Sequence, residues 1–166
     1  MSLSDKMEAA FNDQITSELA ASLTYLQLAA YLEAEERPGM AHWMRRQSAE
    51  EGEHAQQFID FVVARGGRVA IGEIGARRHE FRSAVEVFEA ALESERHVTG
   101  EIRALYELAT DSGDLESLPI LHAFLAEQVE EEATVDGILS RLRRGQDSEM
   151  VLELIDQELG GRGETD

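Results

Sequence analysis

Apolar residues recur every three or four positions through five stretches of this chain, the spacing that lays them along one face of an α-helix. The first stretch begins near Ser4, with Ser or Asp as N-cap, and reads Met7, Phe11, Ile15, Glu18, Ser22, Tyr25, Ala29 and Leu32. It is predicted to run to about Glu36, where Arg37-Pro38-Gly39 stops it. The second, from about Gly39, reads Met40, Met44, Gln47, Glu51, His54, Phe58, Phe61 and Val62, and is closed by Arg65-Gly66-Gly67. The third starts near Ser83 and shows Ala84, Phe88, Ala91, Glu95, Val98, Ile102, Leu105 and Ala109 before the Asp111-Ser112-Gly113-Asp114 turn. The fourth carries Leu121, Phe124, Leu125, Gln128, Val135, Leu139 and Leu142, with Pro119 in its first turns or kinking it, and stops at Gly145. Arg141, Arg143 and Arg144 near its end suit the helix dipole. A short fifth helix, Glu149 to Leu159, is amphipathic through Met150, Val151, Leu154, Ile155 and Leu159, capped by Asp147 or Ser148. From Gly160 onward the chain is expected to fray.

The connections set the topology. Short turns make the first and second helices antiparallel, and likewise the third and fourth. Positions 67–82 carry no helical stripe. A linker of ~16 residues can stretch to ~54 Å, more than the ~40 Å length of a ~27-residue helix. It is therefore predicted to be a crossover that leaves the second and third helices parallel. The expected fold is an all-α four-helix bundle over residues 1–145, with a long crossover between helices 2 and 3, followed by a short C-terminal helix and tail over 146–166.

Each of the four long stripes is interrupted near its centre by a polar residue. Glu18 to Glu51 is 33 positions, and Glu95 to Gln128 is also 33; His54 follows Glu51 by three, and Glu131 follows Gln128 by three. Two hairpins with this shared pattern bring six polar side chains to one level in the core. Helical phase leaves Glu131 and Glu132 nearly tied for the inward position; the repeat selects Glu131. Glu-x-x-His places a carboxylate and an imidazole one turn apart, within reach of a single metal ion.

Composition sharpens the picture. The chain has 34 Asp and Glu against 15 Lys and Arg, a net charge of −19, which argues against nucleic acid or an anionic membrane as partner and favours cations. With no cysteine, disulfides, thiolate metal sites and cysteine nucleophiles are excluded. The N-terminus lacks a signal peptide's apolar core and no run approaches the ~20 apolar residues of a membrane span, so a soluble, cytoplasmic protein is expected. Four carboxylates buried together (Glu18, Glu51, Glu95 and Glu131) need compensation, because each unpaired buried charge costs several kcal/mol. Their formal −4 matches two divalent cations. Oxygen ligands with one imidazole suit iron or manganese better than zinc. The competing arrangement has the acidic positions swung outward or hydrated.

These residues resemble the ferritin family, specifically its non-haem bacterial members. The carriers are Gln14-Ile15-x-x-Glu18-Leu19, Arg45-Arg46-x-x-Ala49-Glu50-Glu51-x-x-His54, Glu95, and Glu127-Gln128-x-Glu130-Glu131-Glu132. The resemblance spans nearly the whole chain. It implies a ferroxidase that oxidises Fe(II) with O2 (or H2O2) and stores the ferric product as mineral inside a homo-oligomeric cage of 24 subunits. By that resemblance Glu18, Glu51 and His54 hold the first iron and Glu51 bridges to the second, which Glu95 and Glu131 approach with Gln128 as a polar orienter. Glu50, Glu127, Glu130 and Glu131 match a third iron position. Tyr25 matches the family's tyrosine near the centre, where it hydrogen-bonds a ligand or supplies an electron; a core aromatic needs neither role.

Departures refine the expectation. The fourth helix lacks the second Glu-x-x-His of haem-binding relatives, with Glu131 three positions after Gln128, and Gly52 stands beside Glu51 where those relatives place a ligating Met, so no haem is expected. Ala123 replaces a tryptophan found in some bacterial members, and Leu118 and Leu121 occupy the positions of acidic pore residues in animal ones. His42, His79, His97 and His122 read as exposed or packing residues, and Trp43 as a core or interface anchor. Two other outcomes fit the same side chains: a bundle that binds cations passively, and a related di-iron oxidase that stores nothing. Oxygen uptake separates the first, particle size the second.

Overall fold

In a computed structural model, which describes residues 2–145 and 148–161, five α-helices and one short 3-10 turn account for the regular structure. Helix α1 spans Asp5–Ala34, α2 Pro38–Ala64, α3 Ala84–Ser112, α4 Leu118–Gly145 and α5 Glu149–Gly161; Leu115–Ser117 forms the 3-10 turn before α4. Ser4 caps α1, its Oγ accepting from Met7 N at 3.2 Å. Ser83 does the same for α3 through Glu86 N, while the Glu86 carboxylate reaches back to Arg82 N at 2.7 Å, a variant of the capping box. Gly113, at φ +69, supplies the left-handed exit of α3.

The sequence boundaries hold to within two residues, with two differences. Pro38 begins α2 instead of ending α1, because its fixed φ suits the first helical position and its missing N–H has no partner to lose there. Helix α5 runs through Gly160 to Gly161 and does not stop at Leu159. The cap at Asp147 and the expected fraying beyond Gly161 lie outside the described residues.

The crossover behaves as its length allows. Starting beside the first turns of α1, it climbs along that helix, tied by Arg68 N to Glu8 Oε2 (3.0 Å), Ala70 N to Asn12 Oδ1 (3.0 Å) and Gly72 N to Thr16 Oγ1 (2.9 Å). Tyr31 Oη donates to Phe81 O near the other end of α1. Side chains of α1 thus take over hydrogen bonds that a helix or sheet would otherwise supply. The segment delivers the chain to the same end from which α2 departed, so α2 and α3 are parallel.

Two apolar clusters fill the bundle. One gathers Leu28, Leu32, Met40, Trp43, Phe88, Leu139 and Leu142 with Ile155 and Leu159 of α5; the other gathers Phe11, Ile15, Phe58, Val62, Ile102, Leu121 and Phe124. Each such buried side chain contributes ~1.5–3 kcal/mol. A polar band (Glu18, Glu51, His54, Glu95 and Gln128, all buried) separates them. Beside this band Ser22 Oγ donates to Ser48 O at 2.7 Å and Ser48 Oγ to Ser22 O at 2.8 Å, locking the register of α1 on α2.

Helix α5 packs differently from expectation. Its buried positions are Ile155, Asp156 and Leu159, whereas Met150 and Leu154 are 75% and 58% exposed. The docked seam is Val151–Ile155–Leu159, one side of the predicted stripe, and Met150 and Leu154 face away from it. Among the described residues, no helix is long and apolar enough to cross a membrane.

Candidate metal centre

The helical repeat turns these side chains inward, and every long helix brings at least one to the polar band. Glu18 comes from α1, Glu51 and His54 from α2, Glu95 from α3, and Gln128 and Glu131 from α4. Glu18, Glu51, Glu95 and Gln128 are each at most 1% exposed and His54 is 4% exposed. Their potential ligand atoms form groups within 4.8 Å: Glu18, Glu51 and His54 in one, Glu51, Glu95 and Glu131 in a second. Glu51 belongs to both, the position a bridging carboxylate requires.

Around this pair the hydrogen bonds are directional. Gln14 Nε2 donates to Glu18 Oε1 at 2.7 Å, and Tyr25 Oη donates to Glu95 Oε1 across the core. His54 Nδ1 lies 3.3 Å from Glu51 Oε2, and its ring stands edge-on to Phe124 at 5.1 Å. Gln128 Nε2 reaches Glu95 Oε2 at 3.1 Å. Three buried oxygens in the band, Glu18 Oε2, Gln128 Oε1 and Glu131 Oε2, have no hydrogen-bond partner among the described residues. A buried acceptor left unpaired costs ~1–3 kcal/mol. Three clustered together fit a cation, for which bare oxygens are the right ligands.

The electrostatics agree. Burial, then the neighbouring Glu51 carboxylate, pushes Glu18 up to about 9. Burial and Glu95 push Glu51 and Glu131 up as well. Burial and Glu95 also raise Tyr25, keeping it a phenol that donates. These upward shifts favour the protonated forms of Glu18, Glu51 and Glu131, and divalent cations bound among them would displace those protons.

A third group joins Glu50, His54 and Glu131 on the more open side, and Glu127 Oε2 lies 3.5 Å from His54 Nε2. Glu130 is exposed and belongs to none of the three groups, so the structure does not bring it to the other candidates of the third position. His42, His79, His97 and His122 are all exposed, and Trp43 is buried between Tyr25 and Phe88.

Three contributors escaped the sequence reading as site residues. Gln14 holds Glu18 from one turn earlier, a signal legible as an i, i+4 pair. Thr99, one turn after Glu95, accepts from Gln128 Nε2 at 3.1 Å. Glu132 accepts from Thr99 at 2.6 Å, so the near-tie with Glu131 reflects two useful positions and not one.

A family model described as Ferritin-like domain matches residues 8–145. The chain is 38% identical over 160 residues to a bacterial non-heme ferritin of Bacteroides fragilis (strain 638R), covering 96% of this chain and 99% of that one. It is 36% identical to the bacterial non-heme ferritin of Staphylococcus epidermidis (strain RP62A), covering 96% of each. Among solved structures, the open-pore ferritin of the archaeon Archaeoglobus fulgidus superposes with a TM-score of 0.94 at 37% identity, over 96% of this chain and 98% of that one. A form of the same ferritin engineered to be closed gives 0.96 at 37% identity, over 99% and 100%. With the polar band, the crossover and these full-length similarities together, the chain belongs to the ferritin family.

Proposed function

We propose that this protein stores iron: it takes Fe(II) as substrate at the buried polar band, oxidises it with O2, and deposits the ferric product inside a cage built from copies of itself, with 24 subunits, in the cytoplasm. Glu18, Glu51 and His54 hold one ion, and Glu51, Glu95 and Glu131 hold the second. Two Fe(II) ions side by side supply two electrons at once to one O2. The carboxylates favour the ferric product, a harder cation. Gln14 and Tyr25 orient Glu18 and Glu95 by donating to one oxygen of each; the second oxygen of Glu18 is left free, and that of Glu95 accepts from Gln128. Phe124 and Phe58, stacked at 4.3 Å, close the band against the apolar cluster below.

The observation that carries this reading is the set of three buried, unpartnered oxygens around two ligand groups that share Glu51. The test is oxygen uptake on adding Fe(II), alongside native mass of the purified protein. Stoichiometric uptake that disappears in Glu18→Ala and Glu51→Ala is expected, in a particle of 24 chains. Uptake unaltered by both substitutions would refute the di-iron reading; a monomer or dimer would refute storage.

A further inference from the structure

We infer that Thr99, together with Glu132, is a positioning residue of the metal centre: the pair fixes the Gln128 amide with its carbonyl oxygen free to meet a metal ion at the Glu51–Glu95–Glu131 group. The inference rests on the proposal that this group binds metal. Gln128 Nε2 lies 3.2 Å from the Glu95 backbone oxygen, 3.1 Å from Glu95 Oε2 and 3.1 Å from Thr99 Oγ1. The backbone oxygen can only accept, and Glu95 Oε2 is a second oxygen on the same side, so the amide nitrogen must face them. Rotating the amide by half a turn would set its oxygen against both and forfeit those bonds.

Thr99 makes the third contact work in the same direction. Its hydroxyl has one hydrogen and two acceptors in range, Glu132 Oε1 at 2.6 Å and Glu95 O at 3.0 Å. The shorter bond goes to a carboxylate, where charge assistance strengthens it. Arg96 Nε lies 3.8 Å from the other oxygen, Glu132 Oε2, and helps hold the carboxylate in place. With its hydrogen committed to Glu132, Thr99 Oγ1 is left as an acceptor, and Gln128 Nε2 is the donor that meets it. Gln128 Oε1 is then the free end of the amide, buried and without a partner. Thr99 and Glu132 are themselves half-buried, so the chain Glu132–Thr99–Gln128–Glu95 runs from the bundle surface to the centre.

The test is calorimetric titration of the assembled protein with Co(II), whose visible absorption reports its ligand set, counting the ions lost in Glu51→Ala as those of the centre. The wild-type protein is expected to take two per chain. Thr99→Val keeps the shape and removes both donor and acceptor. It is expected to leave the first ion unchanged and weaken the second about tenfold, the low end for supporting residues of metal ligands, with a changed Co(II) spectrum. Thr99→Ser restores both, and Glu132→Ala shifts the second ion in the same direction as Thr99→Val. Wild-type affinities in Thr99→Val, equal weakening of both ions, or failure of Thr99→Ser to restore the second would each overturn the inference while leaving the metal centre intact. Fewer than two ions in the wild-type protein would overturn the metal-centre reading, and this inference with it.

Discussion

Tyr25 on α1 donates its phenolic hydrogen to Glu95 on α3, joining the two hairpins through the centre itself. Its ring is fully buried, edge-on to Trp43 at 6.3 Å, so the hydroxyl has no route to solvent. Tyr25→Phe keeps the ring and removes the donor, leaving a buried carboxylate one bond short. A hydrogen bond to a charged group contributes ~1.5–3 kcal/mol, so a modest loss of stability is expected with the fold retained. Fe(II) oxidation, followed by rapid-mixing absorbance, is expected to slow several-fold. An unchanged rate would reduce Tyr25 to a packing role.

Protons and metal compete for the same oxygens, which fixes the sign of the pH dependence. Glu18 is raised from 4.5 to about 9 by burial and by Glu51, so the folded chain holds a proton that the unfolded chain has released. That contribution to stability is complete below about 4.5 and is lost as pH rises through about 9. Glu51 and Glu131 are raised in the same sense. Chelator-treated protein is therefore expected to melt lower at pH 8.5 than at pH 6, and Zn(II) to restore more stability at the higher pH. Glu18→Gln, which carries no proton to lose, is expected to flatten the metal-free slope. Parallel slopes for the two proteins would mean that the proton is not held at Glu18.

The centre was legible because its information is local. Helical phase is set by 3.6 residues per turn, and the equal 33-residue spacings put Glu18, Glu51, Glu95 and Gln128 at one depth once the hairpins were recognised. The crossover was legible from its length, but its path was not. That depends on Glu8, Asn12 and Thr16, polar residues on α1 whose spacing says nothing about a partner some 60 positions away. Thr99 and Glu132 were obscured for a related reason: a threonine and a glutamate half-way round a helix look like solvated surface until the facing helix is in place. The face of α5 was misjudged because a short apolar helix offers two adjacent stripes, and only the docking against α2 selects between them.

Asp156 supplies what α2 lacks. Arg37, at the N-cap position, makes no side-chain cap, and the Asp156 carboxylate accepts from Gly39 N at 3.1 Å and Met40 N at 2.8 Å instead. A carboxylate at a helix N-terminus also meets the positive end of its dipole. The approach is so close that a Cβ on residue 39 would fall 1.8 Å from the Asp156 backbone oxygen, which only glycine allows. Asp156→Ala is expected to cost ~1–2 kcal/mol, the usual range for a lost cap. Gly39→Ala is expected to cost at least as much by forcing α5 off α2. Denaturant melts measure both. If Gly39→Ala melts like the wild type, α5 does not dock as described. Removing the chain after Gly145 extends the test to assembly, where fewer intact particles and poorer iron retention are expected.

The third ligand group distinguishes two neighbouring glutamates on α4. Glu127 and Glu131 are four residues apart and share a face that looks toward His54, whose Nε2 lies 3.5 Å and 3.8 Å from their carboxylates. Glu130 precedes Glu131 by one position, about 100° round the helix, and its exposed side chain is outside the group of Glu50, His54 and Glu131. Glu50→Ala is therefore expected to lower the number of ions bound beyond the first two, and Glu127→Ala to act in the same direction more weakly because its carboxylate is half exposed. Glu130→Ala is expected to leave metal stoichiometry and the initial oxidation rate as they were. Native mass spectrometry of Zn(II)-loaded protein counts the ions directly. A deficit in Glu130→Ala as large as in Glu50→Ala would place Glu130 among the ligands, and would require α4 to turn its exposed face inward when metal binds.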